Sequence, residues 1–152
     1  MSARAVDRVG PVVPPPAGEP DAVWELDAVG ADWRPAPGED DLPVARGRLE
    51  LHREGLVFRA ADVIDRATGE PVVSVIPAEG IVDANPLAPS SPLTNARDAG
   101  TWMSGPLQRQ RCPGFVVSTS VGAWAFDGPK GVRRADAIRR RYARTARGGP
   151  RT

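Results

Sequence analysis

The chain has 152 residues, with 20 basic and 19 acidic side chains, a formal net charge of +1 and one cysteine, Cys112. This length suits a single core, and a lone cysteine excludes an intramolecular disulfide and favours a reducing, cytoplasmic compartment. No run of 18 apolar residues occurs, which excludes a membrane-spanning helix, and Arg4 and Arg8 lead into Pro11, Pro14, Pro15 and Pro16 rather than into a signal-peptide core.

The small net charge hides a separation along the chain. Residues 19–41 hold eight acidic residues (Glu19, Asp21, Glu25, Asp27, Asp32, Glu39, Asp40, Asp41) against Arg34 alone, whereas from Pro129 onward Lys130 and eight arginines are opposed only by Asp136. Such asymmetry marks either an interaction surface or an acidic arm lying on its own basic helix. Arginine supplies all basic residues but Lys130, and its spread along the whole chain reads as coding bias.

In chain order, residues 1–20 read as a flexible Pro-rich segment. Residues 21–45 read as an acidic arm, strand or helix, that docks through Trp24 and Trp33. Residues 46–147 form the single domain. Its first hairpin is RGRLELHREGLVFRA: a turn at Glu54-Gly55 would set Leu51 against Phe58 and Leu49 against Ala60 on one face, and Glu50 against Arg59 on the other. DVIDRATGEPVVSVIP predicts a second hairpin turning in DRATGE, with Pro71 and Pro77 bracketing a strand whose ends lie outside the ladder. GIVDA at 80–84 reads as a short strand and 85–100 as a long surface loop. GFVVSTSVGAWAFDG predicts a last hairpin turning near Val121-Gly122, with Phe115, Val117 and Thr119 facing Trp124 and Phe126.

A helix is predicted at about 130–146, with Pro129 in its first turn and Asp127 as cap, and 148–152 is left as a disordered tail. At 100° per residue, Val132, Ala135, Ile138, Tyr142 and Ala146 form its docking stripe. Arg133, Arg140, Arg144 and Arg147 lie opposite, flanked by Arg134 and Arg141. These six arginines are the candidate partner- or anion-binding residues. Their face suits an unknown protein partner, the chain's own acidic arm, or nucleic acid or an anionic membrane surface. The fold class is therefore mainly β: a small barrel or two-sheet sandwich of successive hairpins closed by one C-terminal helix.

Catalytic chemistry has little to draw on. His52 is the only histidine and is expected as a surface residue beside Glu50. Cys112, between Arg111 and Pro113, is either a buried strand residue or a redox-sensitive thiol activated by Arg109 and Arg111. Asp62 with Asp65, and Glu39 with Asp41, are carboxylate pairs by proximity alone. No phosphate loop, nucleophile elbow, zinc set or EF-hand loop occurs, so neither catalytic residues nor a cofactor or metal are assigned.

Successive hairpins, a long loop, a final aromatic hairpin and one amphipathic helix together resemble the pleckstrin-homology-like fold, including its GRAM-type and bacterial members, over Arg46 to Arg147. The resemblance implies either a protein-interaction scaffold or phosphate recognition by first-hairpin arginines, here Arg46, Arg48, Arg53 and Arg59, a set interrupted by Glu50 and Glu54. The resulting expectation is a non-catalytic cytoplasmic interaction domain.

Overall fold

The structure, a computed structural model, describes residues 4–86, 114–128 and 130–143. Nine strands form one sheet: β1 (Arg4–Arg8), β2 (Ala22–Val29), β3 (Trp33–Pro35), β4 (Ala45–His52), β5 (Gly55–Asp65), β6 (Pro71–Pro77), β7 (Ile81–Pro86), β8 (Phe115–Thr119) and β9 (Gly122–Asp127). The ladder path is β3-β1-β5-β4-β2-β9-β8-β7, with β6 on the other side of β5. The chain is thus mainly β, but the sheet is not closed into a barrel. Among the described residues β6 pairs only with β5 and β7 only with β8, so the two ends of the antiparallel run stay unjoined.

The first hairpin forms with its faces as expected and its turn moved. Leu51 pairs with Leu56, Leu49 with Phe58 and His52 with Gly55, so Arg53 and Glu54 make the turn. Gly55 serves β6 instead: it holds a φ of +148°, and a Cβ there would collide with the Ile76 carbonyl. The glycine is required by the close approach of a third strand rather than by the turn. A shift of two residues keeps every side chain on its face, and Leu49, Leu51, Leu56, Phe58 and Ala60 all reach the core.

The second hairpin turns through residues 66–70 as expected. Asp65 Oδ1 accepts from the Ala67 amide at 3.0 Å, the Thr68 hydroxyl accepts from the Glu70 amide at 3.2 Å, and Gly69 takes φ +76°. The strand after it runs Pro71–Pro77 and lies at a sheet edge. In the last hairpin Phe115 pairs with Phe126 and Val117 with Trp124, and the turn is Ser120-Val121. Of the predicted loop at 85–100, Asn85 and Pro86 end β7 and pair with Val116 and Phe115, while the rest lies outside the described residues.

The acidic stretch is not an arm. Ala22–Val29 is an interior strand that pairs with β4 along its length and with β9 through Asp27, Ala28 and Val29. Leu26 and Ala28 enter the core from it, while Val23 and Glu25 face out. Nor is the N-terminal segment wholly apart from the fold, because Arg4–Arg8 pairs parallel with β5 and antiparallel with β3, burying Val6.

Six aromatic rings join the strands across the core. Phe115 and Phe126 stack at 5.0 Å, Trp124 and Phe126 at 6.0 Å, and Trp33 meets Trp124 edge-on at 5.7 Å and Phe58 at 6.1 Å; Trp24 meets Phe115 edge-on at 5.9 Å. The indole N–H of Trp33 donates to the buried Ser74 hydroxyl at 3.1 Å, so this polar group is satisfied inside.

Helix α1 (Gly131–Ile138) continues as a π-helical turn, Arg139–Ala143, and residues 144–146 of the predicted helix lie outside the described residues. Two expectations at its start are corrected. Asp127 is the last residue of β9, and the cap position is held by Lys130 with φ +61°, without a side-chain cap. The docking stripe runs Gly131, Ala135, Ile138, Tyr142, all buried, and leaves Val132 60% exposed. Gly131 takes its place because the backbone packs against Gly114 too closely to admit a Cβ. Ile138 and Tyr142 each contribute about 2 kcal/mol by burial.

Candidate interaction surface

The described helix arginines are largely engaged within the chain. Arg134 lies 4.9 Å over the Trp24 ring and is half-buried, with one Nη buried without a hydrogen-bond partner, and burial lowers its pKa. Arg140 pairs with Asp136 at 2.5 Å, one turn back. Arg141 pairs with Asp21 and lies 5.5 Å from the Tyr142 ring centroid. Arg133 is exposed. Arg144 and Arg147 lie outside the described residues, so the predicted guanidinium face is described only in part.

A residue not singled out by the sequence anchors this helix. Arg139 donates to the Ala84 carbonyl at 2.6 Å, to Asp83 and Asn85 at 3.2 Å each and to Asp136 at 3.3 Å, tying α1 to β7. The acids of residues 19–41 are dispersed. Asp32 pairs with Arg8, Glu39 with Arg4 and Asp27 with Arg46; among the described residues, Asp21 alone reaches the helix.

On the outer face of the first hairpin, His52 is buried, contrary to expectation, at 3% exposure. Its Nε2 is 2.8 Å from Glu50 Oε1, and Arg59 Nε donates to Glu50 Oε2 at 2.9 Å. Since a carboxylate only accepts, His52 Nε2 carries the proton. Burial pushes the Glu50 carboxyl up, and the bonds from His52 and Arg59 together outweigh it, so Glu50 titrates below the usual range. The expected Glu50–Arg59 contact forms diagonally, since Glu50 itself opposes Val57. The four first-hairpin arginines do not converge on one site: Arg48 and Arg59 sit opposite each other across β4 and β5, whereas Arg46 and Arg53 lie about 20 Å apart by strand rise.

The carboxylates singled out from sequence have separate tasks. Asp62 accepts from the Arg46 amide at 2.8 Å, and Asp65 from the Ala67 amide. The pair that does form, Asp27 opposite Asp127 across β2 and β9, is separated by 100 residues and leaves no local signal. Desolvation and then the Asp27 charge push Asp127 up to about 6, and desolvation also raises Asp27. Both line a polar cleft of about 640 Å³ with Asp62, Arg4 and Arg46. Among the described residues no cluster of His, Cys, Asp and Glu has the arrangement of a metal site, and no helix is long and apolar enough to cross a membrane.

A second cleft, of about 480 Å³, has a different character. It lies at the open seam of the sheet, between β6, the β8–β9 turn and a strap formed by residues 9–13. Trp124, Ile76 and Ala31 contribute to its lining, and so do Val73, Val75, Val12, Val13 and Val121. Arg8 builds the strap: it donates to Asp32 Oδ2 at 2.9 Å and to the carbonyls of Gly10 and Pro11 at 3.3 and 3.1 Å. Asp32 Oδ1 is buried without a hydrogen-bond partner, and burial, offset in part by Arg8, raises the Asp32 pKa. Of the seven exposed large apolar side chains among the described residues, four (Val12, Val13, Val73, Val121) line this cleft.

Comparison with protein-family models, with curated proteins and with solved structures finds no match. The seam is therefore judged by its own chemistry. Its polar lining is Arg8, Asp32, Glu79, Thr119 and Ser120, and the Thr119 hydroxyl is already engaged with the Gly122 carbonyl at 2.7 Å. Cys112 lies outside the described residues. Sequence reasoning missed the seam because its walls come from four separated segments; the one local trace was the valine pair of PVVPPP.

Proposed function

We infer that this chain is a non-catalytic interaction domain built on a pleckstrin-homology-like plan, and that its contact surface is the seam cleft. The plan is supported by strand order: β2-β4-β5-β6 and β7-β8-β9 are two runs of hairpins, joined through β2 and β9 and followed by the helix. In this reading β1 and β3 are additions at one side. The lone cysteine supports a cytoplasmic setting.

The observation that carries the contact surface is the gathering of exposed valines around one concave site, since solvent-facing valines elsewhere are scattered. The helix face is the less apt surface, because Arg134, Arg140 and Arg141 already have internal partners. A Val73→Asp, Val121→Asp variant is expected to keep its unfolding midpoint and to lose the partners that the unaltered chain retains on affinity capture. An Arg133→Glu, Arg140→Glu variant keeps them. The reverse result would move the contact surface to the helix.

A further inference from the structure

We propose that the seam takes an extended peptide segment, apolar and carrying a basic side chain, that adds as a short strand to the free edge of β6. This rests on the reading of the seam as the contact surface and names what it binds.

The hydrogen-bond parity of β6 fixes which groups are free. The Ala78 amide donates to the Glu54 carbonyl at 2.9 Å, which brackets Gly55 and Pro77 as a pair that exchanges no hydrogen bonds. Antiparallel ladders alternate, so Ile76 and Ser74 bond to Leu56 and Phe58, whereas Val75 and Val73, opposite Val57 and Arg59, turn their N–H and C=O groups away from β5. Among the described residues β6 has no second neighbour. Pro71 and Pro77 lack an N–H, so an added ladder is confined to the stretch between them. The edge therefore offers two amides and two carbonyls spaced for one extended segment of about three residues, beside an apolar cleft.

Charge selects the occupant. Arg8 is neutralised by Asp32, and among the described residues Glu79 is exposed without an ion pair, which leaves their lining of the cleft negative; the unpartnered Asp32 Oδ1 adds a buried acceptor. A basic side chain complements this lining. A second copy of the chain pairing about Ser74 would instead bring Glu70 of one molecule beside Glu79 of the other, placing like charges at both ends of the ladder.

The test is selection of a random heptapeptide display library on the full chain, with counter-selection on the Val73→Asp, Val121→Asp variant. The expected winners alternate apolar residues and include Lys or Arg. A synthetic winner is expected to lose about tenfold or more in affinity when two alternate amides are N-methylated, and a comparable factor against Glu79→Lys. If N-methylation leaves affinity unchanged while the winner still protects the seam, strand addition is overturned and the contact surface stands. If no peptide distinguishes the unaltered chain from the variant, strand addition is overturned, and if that variant also keeps its captured partners, the contact surface falls with it. A Val73-dependent dimer in sedimentation without peptide would replace the peptide by a second copy.

Discussion

The phenol of Tyr142 donates to the main-chain carbonyl of His52 at 2.6 Å, with the Gly55 carbonyl 3.3 Å away, so the last described turn of helix is fastened to the turn of the first hairpin. Both ends of this contact are buried. Tyr142→Phe keeps the ring and removes this bond, while the hairpin amide of Gly55 still faces the His52 carbonyl, and is expected to cost about 1 kcal/mol in urea unfolding at pH 7. Ile138→Ala, which empties core volume, is expected to cost about 2–4 kcal/mol in the same measurement.

The Glu50 carboxylate holds both His52 and Arg59 on a buried outer face. Its folded value lies below the ordinary 4.5, so its stabilising contribution is present above that value and is lost as the pH falls through the folded one. Glu50→Gln is expected to destabilise by about 1–3 kcal/mol at pH 7, with the difference shrinking in acid, at a pH below the folded value of Glu50. Paired denaturation curves at the two pH values check this.

Asp127 has the opposite sign. Its folded value of about 6 exceeds the ordinary 3.8, so the favourable contribution is complete below 3.8 and is lost as the pH rises through 6. Asp127→Asn removes that dependence. Relative to the unaltered chain, the variant is expected to gain about 1 kcal/mol between pH 4 and pH 8, after allowance for solvent screening. Subtracting the two pH–stability profiles isolates this group from carboxylates of opposite sign, such as Asp83.

Arg139 and Arg133 separate structural from idle cations on α1. Arg139→Ala breaks bonds to Asp83, Ala84 and Asn85 and is expected to cost about 1–2 kcal/mol, whereas Arg133→Ala is expected to stay within about 0.5 kcal/mol. Thermal unfolding of the two variants side by side measures the difference.

The hairpins were legible because alternation is local: Phe115, Val117, Trp124 and Phe126 face one another as their spacing predicts. The turn at Arg53-Glu54 was not, because Gly55 answers to Ile76, a strand away. The place of β2 was hidden for a related reason. Its acidic residues read as an arm docked through its tryptophans, yet Asp27 sits within the sheet beside Arg46 and Asp32, in the turn after β2, beside Arg8, partners that sequence spacing does not pair. The helix stripe was legible at Ala135, Ile138 and Tyr142, and failed at Val132 because the chain docks there through a glycine. The predicted site faced the same difficulty. Charge pattern marks arginines but not the acids that engage them, and a cleft lined by residues 8–13, 31–32, 73–80 and 119–124 has no sequence signature.

The most direct test places a photo-crosslinking benzoylphenylalanine at Val121, 82% exposed at the mouth of the seam, or at Arg133 on the helix, and irradiates each full chain in extract of its native cell. The seam as contact surface predicts a discrete adduct from position 121, lost on adding Val73→Asp, and none from position 133. An adduct from position 133 alone would contradict it.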